Sequence, residues 1–244
     1  MTKGIIYYTD FHASDEILNI CRENLKKASQ FDIQEIVSVS LNKPVDLGKN
    51  IVLQGERSNT MYVKQIITAL ENLTTDLVFF TEHDVLYDSA HFEFTATKPD
   101  VFYYDLNVWR WDFPHDRIIT YDQLTSLSMM TCNRKLALEH YQKRLKRILE
   151  SAFDKEDGIG KMQPVWVRAL GYEPGTKKKR VGGFSNDLSD KFRSVRPNVD
   201  IRHGRTLSNP KVHLENFTHQ PTGWQEKNLR YIENFQLKEM FNII

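Results

Sequence analysis

Long apolar runs are missing from this sequence. No window approaches the roughly 18 uninterrupted apolar residues of a membrane-spanning helix, so the expectation is a chain with no membrane span. The N-terminus lacks the basic and apolar regions of a signal peptide, which points to a soluble, cytoplasmic protein, in the host cytoplasm if the source is viral. Cysteine is scarce: Cys21 and Cys132 are isolated, carry no metal-site spacing, and read as free thiols of a reducing compartment. Charge of one sign is also lacking, with 33 Lys and Arg against 32 Asp and Glu for a net +1. The whole molecule is therefore not an electrostatic trap for nucleic acid or anionic membrane. Finally, the first apolar stretch is followed by Asp10-Phe11-His12-Ala13-Ser14, where a glycine-rich phosphate loop would stand.

What is present suits one compact α/β domain. A chain of 244 residues with 40% hydrophobic content can close and fill a single core. Gly4 to Asp10 is a short apolar strand ending in an acid, and Ile17, Leu18, Cys21 and Leu25 lie along one helical face after it. Glu35 to Ser40 reads as a second strand closed by the turn signal Asn42-Lys43-Pro44. Thr60 to Asn72 has Met61, Val63, Ile66, Ile67 and Leu70 near a helical period, followed by the apolar run Leu77-Val78-Phe79-Phe80-Thr81. The first ninety residues thus predict strand, helix, strand, helix, strand. Right-handed crossovers bring the polar strand ends to one edge of a mostly parallel sheet flanked by helices. Farther on, Ser126 to Thr131 and Arg134 to Leu149 predict a strand-to-helix unit whose Met129-Met130 pair is core. Trp224 to Phe241 predicts a C-terminal helix packed back on the domain.

The run at Leu77 stops at Glu82-His83-Asp84. Ligands in open α/β sheets collect outside the carboxyl ends of the strands, so acids at such an end are placed for a metal or ligand. On an extended backbone Glu82 and Asp84 point to one side and can converge on a cation, with His83 facing away. Two hard oxygens suit Mg²⁺ or Mn²⁺. A second feature is Asp200-Ile201-Arg202-His203-Gly204-Arg205, within a basic, loop-rich region from Lys177 to Arg205. Beside a metal-bound diphosphate, a neutral His203 can complete the coordination while Arg202 and Arg205 neutralise oxygen charge. Trp109 and Trp111 share a face if extended and can stack on a sugar ring or a base.

Tyr7-Tyr8-Thr9-Asp10 and Glu82-His83-Asp84 together resemble the GT-A family of nucleotide-sugar glycosyltransferases, whose acid-x-acid motif follows a central strand. The resemblance spans about the first 110 residues and the short segment around His203. It implies a GT-A-like α/β fold in one domain, with residues 1–110 as the nucleotide-sugar-binding half and 111–244 as the acceptor-side half. It implies Asp84 as metal ligand, Glu82 as its companion and His203 as the late histidine that joins the ion. Tyr8, Thr9, Asp10, Arg57, Lys64, Glu82, His83, Arg202 and Arg205 are the implied donor contacts. The implied cofactors are a divalent cation, Mn²⁺ or Mg²⁺, and a nucleotide sugar, a UDP-sugar being favoured. This chain departs from the usual motif in having Glu at its first position, whose extra methylene changes the reach, and in carrying a histidine between the acids that can itself bind the ion.

Glycosyl transfer breaks a bond from the anomeric carbon to phosphate, and a cation with nearby Arg or Lys stabilises the departing diphosphate. An inverting enzyme also needs a carboxylate to deprotonate the acceptor hydroxyl. Asp105, which ends the apolar run Val101 to Tyr104, and Asp157, in a charged segment before Gly158, are the candidates. The expected acceptor is a glycan or a hydroxylated, modified base in DNA, with Trp109 and Trp111 either stacking on it or packing in the core. Two alternatives are a nucleotidyltransferase, disfavoured by the missing glycine-rich loop, and a non-enzymatic nucleic-acid-binding module using the basic region at 177–205.

Overall fold

The structure, a computed structural model, describes residues 1–150, 174–175, 187–204 and 219–243. Asp157, Arg205 and the Lys177-to-Arg180 run lie outside the described residues. The first half runs β1 (Lys3–Thr9), α1 (Asp15–Ala28), β2 (Glu35–Leu41), β3 (Lys49–Leu53), α2 (Asn59–Asn72), β4 (Leu77–Glu82), β5 (Val85–Leu86) and α3 (Ser89–Phe92). Then follow β6 (Phe102–Asp105), β7 (Val108–Trp111), β8 (Ile118–Thr120), β9 (Met130–Asn133), α4 (Arg134–Glu150), β10 (Ser189–Phe192), β11 (Asn198–Ile201), β12 (Gln225–Lys227) and α5 (Leu237–Met240).

Seven of these strands form one sheet in the order β10-β6-β9-β4-β1-β2-β3, and five form a second in the order β12-β8-β7-β11-β5. In the large sheet β1 is parallel to both β2 and β4, β2 to β3, and β6 to β10, while β9 runs antiparallel to β4 and β6. The result is a mixed α/β domain with a mostly parallel central sheet flanked by helices. Strands from both sides of residue 110 interleave in that sheet.

Period-two alternation decides which face each residue serves. Ile6 and Tyr8 of β1, Val37 and Val39 of β2, and Val78 and Phe80 of β4 pack in a cluster with Val63, Ile66 and Leu70 of α2 and Tyr141 of α4. Ile5, Tyr7, Leu77 and Phe79 point the other way, into a cluster that includes Leu25 of α1. Strands buried on both faces explain the uninterrupted apolar runs in the sequence. Helix α1 starts at Ser14, whose side chain accepts a hydrogen bond from the Ile17 N–H, with Asp15 and Glu16 in its first turn and Lys26 and Lys27 in its last. Both features oppose charge to the helix dipole. Its buried residues are the expected Ile17, Leu18, Cys21 and Leu25, and both cysteines are free.

Two expectations are corrected. Strand β3 was not foreseen: it is an edge strand that opens on the exposed Lys49, and its Asn50 bonds Ser38 and Ser40 of β2. The C-terminal segment is not one helix but β12, a 3₁₀ turn at Leu229–Tyr231 and the single turn α5. Its apolar residues Leu229, Ile232, Phe235, Leu237 and Phe241 are buried beside Trp109 and Trp111, as a packed helix would require. Tertiary anchors override the period: Asp116 accepts from the Leu229 N–H at 2.8 Å, and Asn234 donates to Asp88 and to the Pro197 carbonyl.

Helix α4 carries a buried histidine with a sharp pH consequence. Arg144 donates to His140 Nε2 at 3.2 Å, which makes that nitrogen the acceptor, and His140 Nδ1 lies 2.9 Å from Asp187. Burial pushes the His140 pKa down to about 4, outweighing the opposing pull of Asp187. The unfolded chain takes up this proton near pH 6.5 and the folded chain only near 4. Stability is therefore lost as pH falls through that window, by about 3 kcal/mol in full. Urea unfolding at pH 7 and at pH 4.5 checks this: His140→Gln loses markedly less stability between the two than the wild type. Equal losses would refute the assignment.

Candidate active site

The strand order of the large sheet reverses between β1 and β4: the chain moves outward through β2 and β3, then returns to the other side of β1. That reversal opens a crevice at the carboxyl ends of β1 and β4, where such sheets place ligands. Here Tyr8-Thr9-Asp10 meets Glu82-His83-Asp84. Register puts Tyr8 opposite Glu82, and the Tyr8 hydroxyl donates to the Glu82 carboxyl at 3.0 Å. Gln65 of α2 closes the floor by donating to the carbonyls of Thr9 and Val39 at 3.0 and 3.1 Å.

The chain turns at His83 and Asp84, so strand alternation ends at Glu82. Glu82 stays on the side of Tyr8, while its N–H donates to the Tyr87 hydroxyl. Asp84 is joined by the exit of β11. The Ile201 N–H donates to the Asp84 carbonyl at 2.9 Å, and His203, two residues on, places Nε2 3.2 Å from the Asp84 carboxylate. His83, Asp84 and His203 each offer a ligand atom, all within 4.8 Å of one another.

This trio fits a divalent cation. His203 is almost wholly buried, and its Nδ1 has no hydrogen-bond partner among the described residues. Two imidazoles and a carboxylate are better donors for a transition-metal ion than for Mg²⁺, which prefers oxygen. The expectation that His83 faces away from Asp84 is thus corrected: the turn brings the two together, while Glu82 lies outside this trio.

The electrostatics separate the acids. Burial, aided by Asp84 and Asp200, pushes the Glu82 pKa up to about 8, so this carboxyl is largely protonated at neutral pH. Burial acts the same way on Asp84, but the His203 hydrogen bond and the His83 charge outweigh it and hold Asp84 below its ordinary value. Asp10 is likewise held low against burial, by His83 and by its ion pair with Arg57. Behind them Arg202 pairs with Asp200 at 3.5 Å, and although burial alone would lower its pKa, Asp200 and Asp84 raise it.

With this geometry established, similarity to known proteins adds outline only. No protein-family profile matches the chain, and no curated protein matches it. Among solved structures it is similar to the inositol-1-phosphate CTP transferase from T. maritima, at TM-score 0.47 and 10% identity over 100% of this chain and 97% of that one. It is similar to S. aureus TarS 1-349 in complex with UDP-GlcNAc, at 0.45 and 15% over 89% and 63%. It is also similar to the bifunctional IspDF from Campylobacter jejuni, at 0.36 and 11% over 60% and 44%, and so spans less than half of that protein's length. At these scores the functional reading rests on the residues of this chain.

The remaining expected residues divide. Lys64 lies on the exposed side of α2. Trp109 and Trp111 do share a face, but it is the inner one: they are 4% and 0% exposed and pack with Ile201 and Phe241, so no acceptor can stack on them. Asp105 is 0% exposed. Its carboxylate accepts from His91 Nδ1, Asn198 Nδ2 and the backbone N–H groups of Asn107 and Ser194, at 2.8 to 3.1 Å. With its lone pairs engaged and no path to solvent, Asp105 is not placed to take a proton from an acceptor. The described cations of the basic region also have internal partners: Lys191 meets Gln123, Arg193 donates to the Leu106 carbonyl, and Arg196 clasps Asp88. Sequence reasoning missed Gln65, Tyr87 and Asp200 as site components. The signal for Asp200 was its two-residue spacing from Arg202.

Proposed function

We propose that this chain is a metal-dependent glycosyltransferase that moves a sugar from a nucleotide-sugar donor, a UDP-sugar being favoured, to a hydroxyl acceptor. The observation that carries the reading is the His83–Asp84–His203 trio at the topological switch point of the sheet. Asp10 and Glu82 stand at the carboxyl ends of β1 and β4, where their carboxyls can hydrogen-bond the hydroxyls and base of a nucleoside. A cation held by the trio would stabilise the charge that develops on the departing diphosphate. The Arg202 guanidinium, fixed by Asp200, adds positive charge beside it. Two imidazole donors support Mn²⁺ over Mg²⁺ as the partner ion. Donor phosphates held by backbone N–H groups, as a nucleotidyltransferase would use, find no glycine-rich loop after β1; Asp10 stands there instead.

Thermal unfolding with a panel of nucleoside diphosphates and UDP-sugars, each with and without Mn²⁺ or Mg²⁺, tests the reading. A ligand at a hundred times its Kd adds about 2.7 kcal/mol to folded-state stability. The expected result is a shift for one nucleotide that requires the metal and is larger with Mn²⁺. No shift with any nucleotide and metal together would overturn it.

A further inference from the structure

With the two tryptophans buried, the acceptor needs another surface, and the small sheet has one. One face of it, carrying Trp109, Trp111, Val199 and Ile201, is core. The opposite face is also packed, with Val85 and Val108 in a second cluster and Ile119 buried, and among these apolar residues register aligns a set of polar and aromatic side chains that reach partial exposure at Arg110, Tyr121 and Trp224. Asp200 of β11 pairs with Arg110 of β7, and Arg110 pairs with Ile119 of β8. Tyr121, two residues past Ile119, therefore points to the same side. Trp224 immediately precedes Gln225 of β12, which pairs with Thr120, so it falls opposite Tyr121.

Contacts follow this register. Arg110 lies 3.4 Å from Asp200 and donates to the Tyr121 hydroxyl at 3.1 Å, and the Tyr121 and Trp224 rings stack at 6.3 Å with planes 5° apart. Through Asp200 the row leads back to the metal trio: Arg202 lies 3.5 Å from Asp200, and the intervening Ile201 N–H donates to the Asp84 carbonyl at 2.9 Å. Arg110, Tyr121 and Trp224 are all partly exposed, unlike the buried pair at 109 and 111.

We propose that this row is the acceptor subsite and that the acceptor is a hydroxyl-rich glycan. The inference rests on the glycosyltransferase reading and adds the acceptor class to it. Aromatic rings offer their faces to the C–H side of a sugar, and hydroxyl groups need both donors and acceptors of hydrogen bonds. Arg110 supplies the donors. Asp122, exposed and seated against Gly223 beside Trp224, supplies acceptor oxygens. A nucleic-acid strand would meet that carboxylate with its phosphates, which argues against a modified DNA base at this surface.

Binding of the wild-type chain to an oligosaccharide array and to single-stranded hydroxymethylated DNA, without donor, tests the subsite. The expected result is binding to oligosaccharides, weakened at least tenfold in Trp224→Ala and severalfold in Tyr121→Phe, which keeps the ring and removes the hydroxyl that bonds Arg110. Both variants are expected to retain the metal-dependent donor shift, which also shows that they fold. Oligosaccharide binding indifferent to both substitutions, no oligosaccharide bound at all, or DNA bound through Trp224 would overturn the proposal. A wild-type chain with no donor shift would instead sink the glycosyltransferase reading itself, so the two failures are told apart.

Discussion

Replacing Asp105 by Asn is expected to destabilise the protein by about 3–5 kcal/mol, the range for removing one partner of a buried charged network. The arithmetic follows from four donors around one carboxylate: His91 and Asn198 side chains on one oxygen, Asn107 and Ser194 backbone N–H groups on the other. An amide presents its own NH₂ to one of those pairs, so two buried donors lose their acceptor and face a third. Burial opposes the charge of Asp105, but the His91 hydrogen bond and charge outweigh it and hold the carboxyl below its ordinary pKa. A domain of this size with about 5–15 kcal/mol of total stability would sit near its threshold after such a loss. At about 2–4 °C per kcal/mol, the Tm would fall by roughly 6–20 °C. A catalytic base gives the opposite signature, with turnover lost and melting unchanged. A Tm within 2 °C of wild type, on the same scale, would restore Asp105 as a candidate base.

The contrast between Asp105 and Asp84 shows what the sequence disclosed and what it withheld. Both follow apolar runs, and a strand-terminating acid reads the same in either place. What separates them is the position of distant residues: Ser194 and Asn198 close over Asp105 from 89 and 93 positions away, while the crevice at the β1–β4 reversal leaves Asp84 at the ligand edge. Strands β1, β2 and β4 were legible because double-sided burial writes them as continuous apolar runs, and α1 and α2 because their buried faces keep a helical period. The edge strand β3 and the C-terminal segment were not, since edge exposure and tertiary anchors blur both periods. The Trp109–Trp111 spacing disclosed a shared face, but sequence spacing does not say which side of a strand is inside. Likewise, period-two reasoning turned His83 away from Asp84, and that geometry fails because the strand ends at Glu82 and the chain turns at His83 and Asp84.

That turn yields the second large expectation, in which the two acids of one motif behave differently on substitution. Asp84→Asn removes the only carboxylate of the trio, keeping the side chain's shape but losing the anionic donor that a cation needs most. Loss of supporting partners around metal ligands already costs 10–100-fold in affinity, so loss of the ligand itself is expected to lower Mn²⁺ affinity by at least about a hundredfold. The metal-dependent donor shift would vanish, and transfer with it. Glu82→Gln is expected to be mild by comparison, because Glu82 lies outside the trio and an amide still accepts from the Tyr8 hydroxyl. Isothermal titration with Mn²⁺ on both variants decides the matter. Equal weakening would place Glu82 on the ion after all, and an Asp84→Asn variant that binds Mn²⁺ as tightly as wild type would remove the metal centre from this crevice.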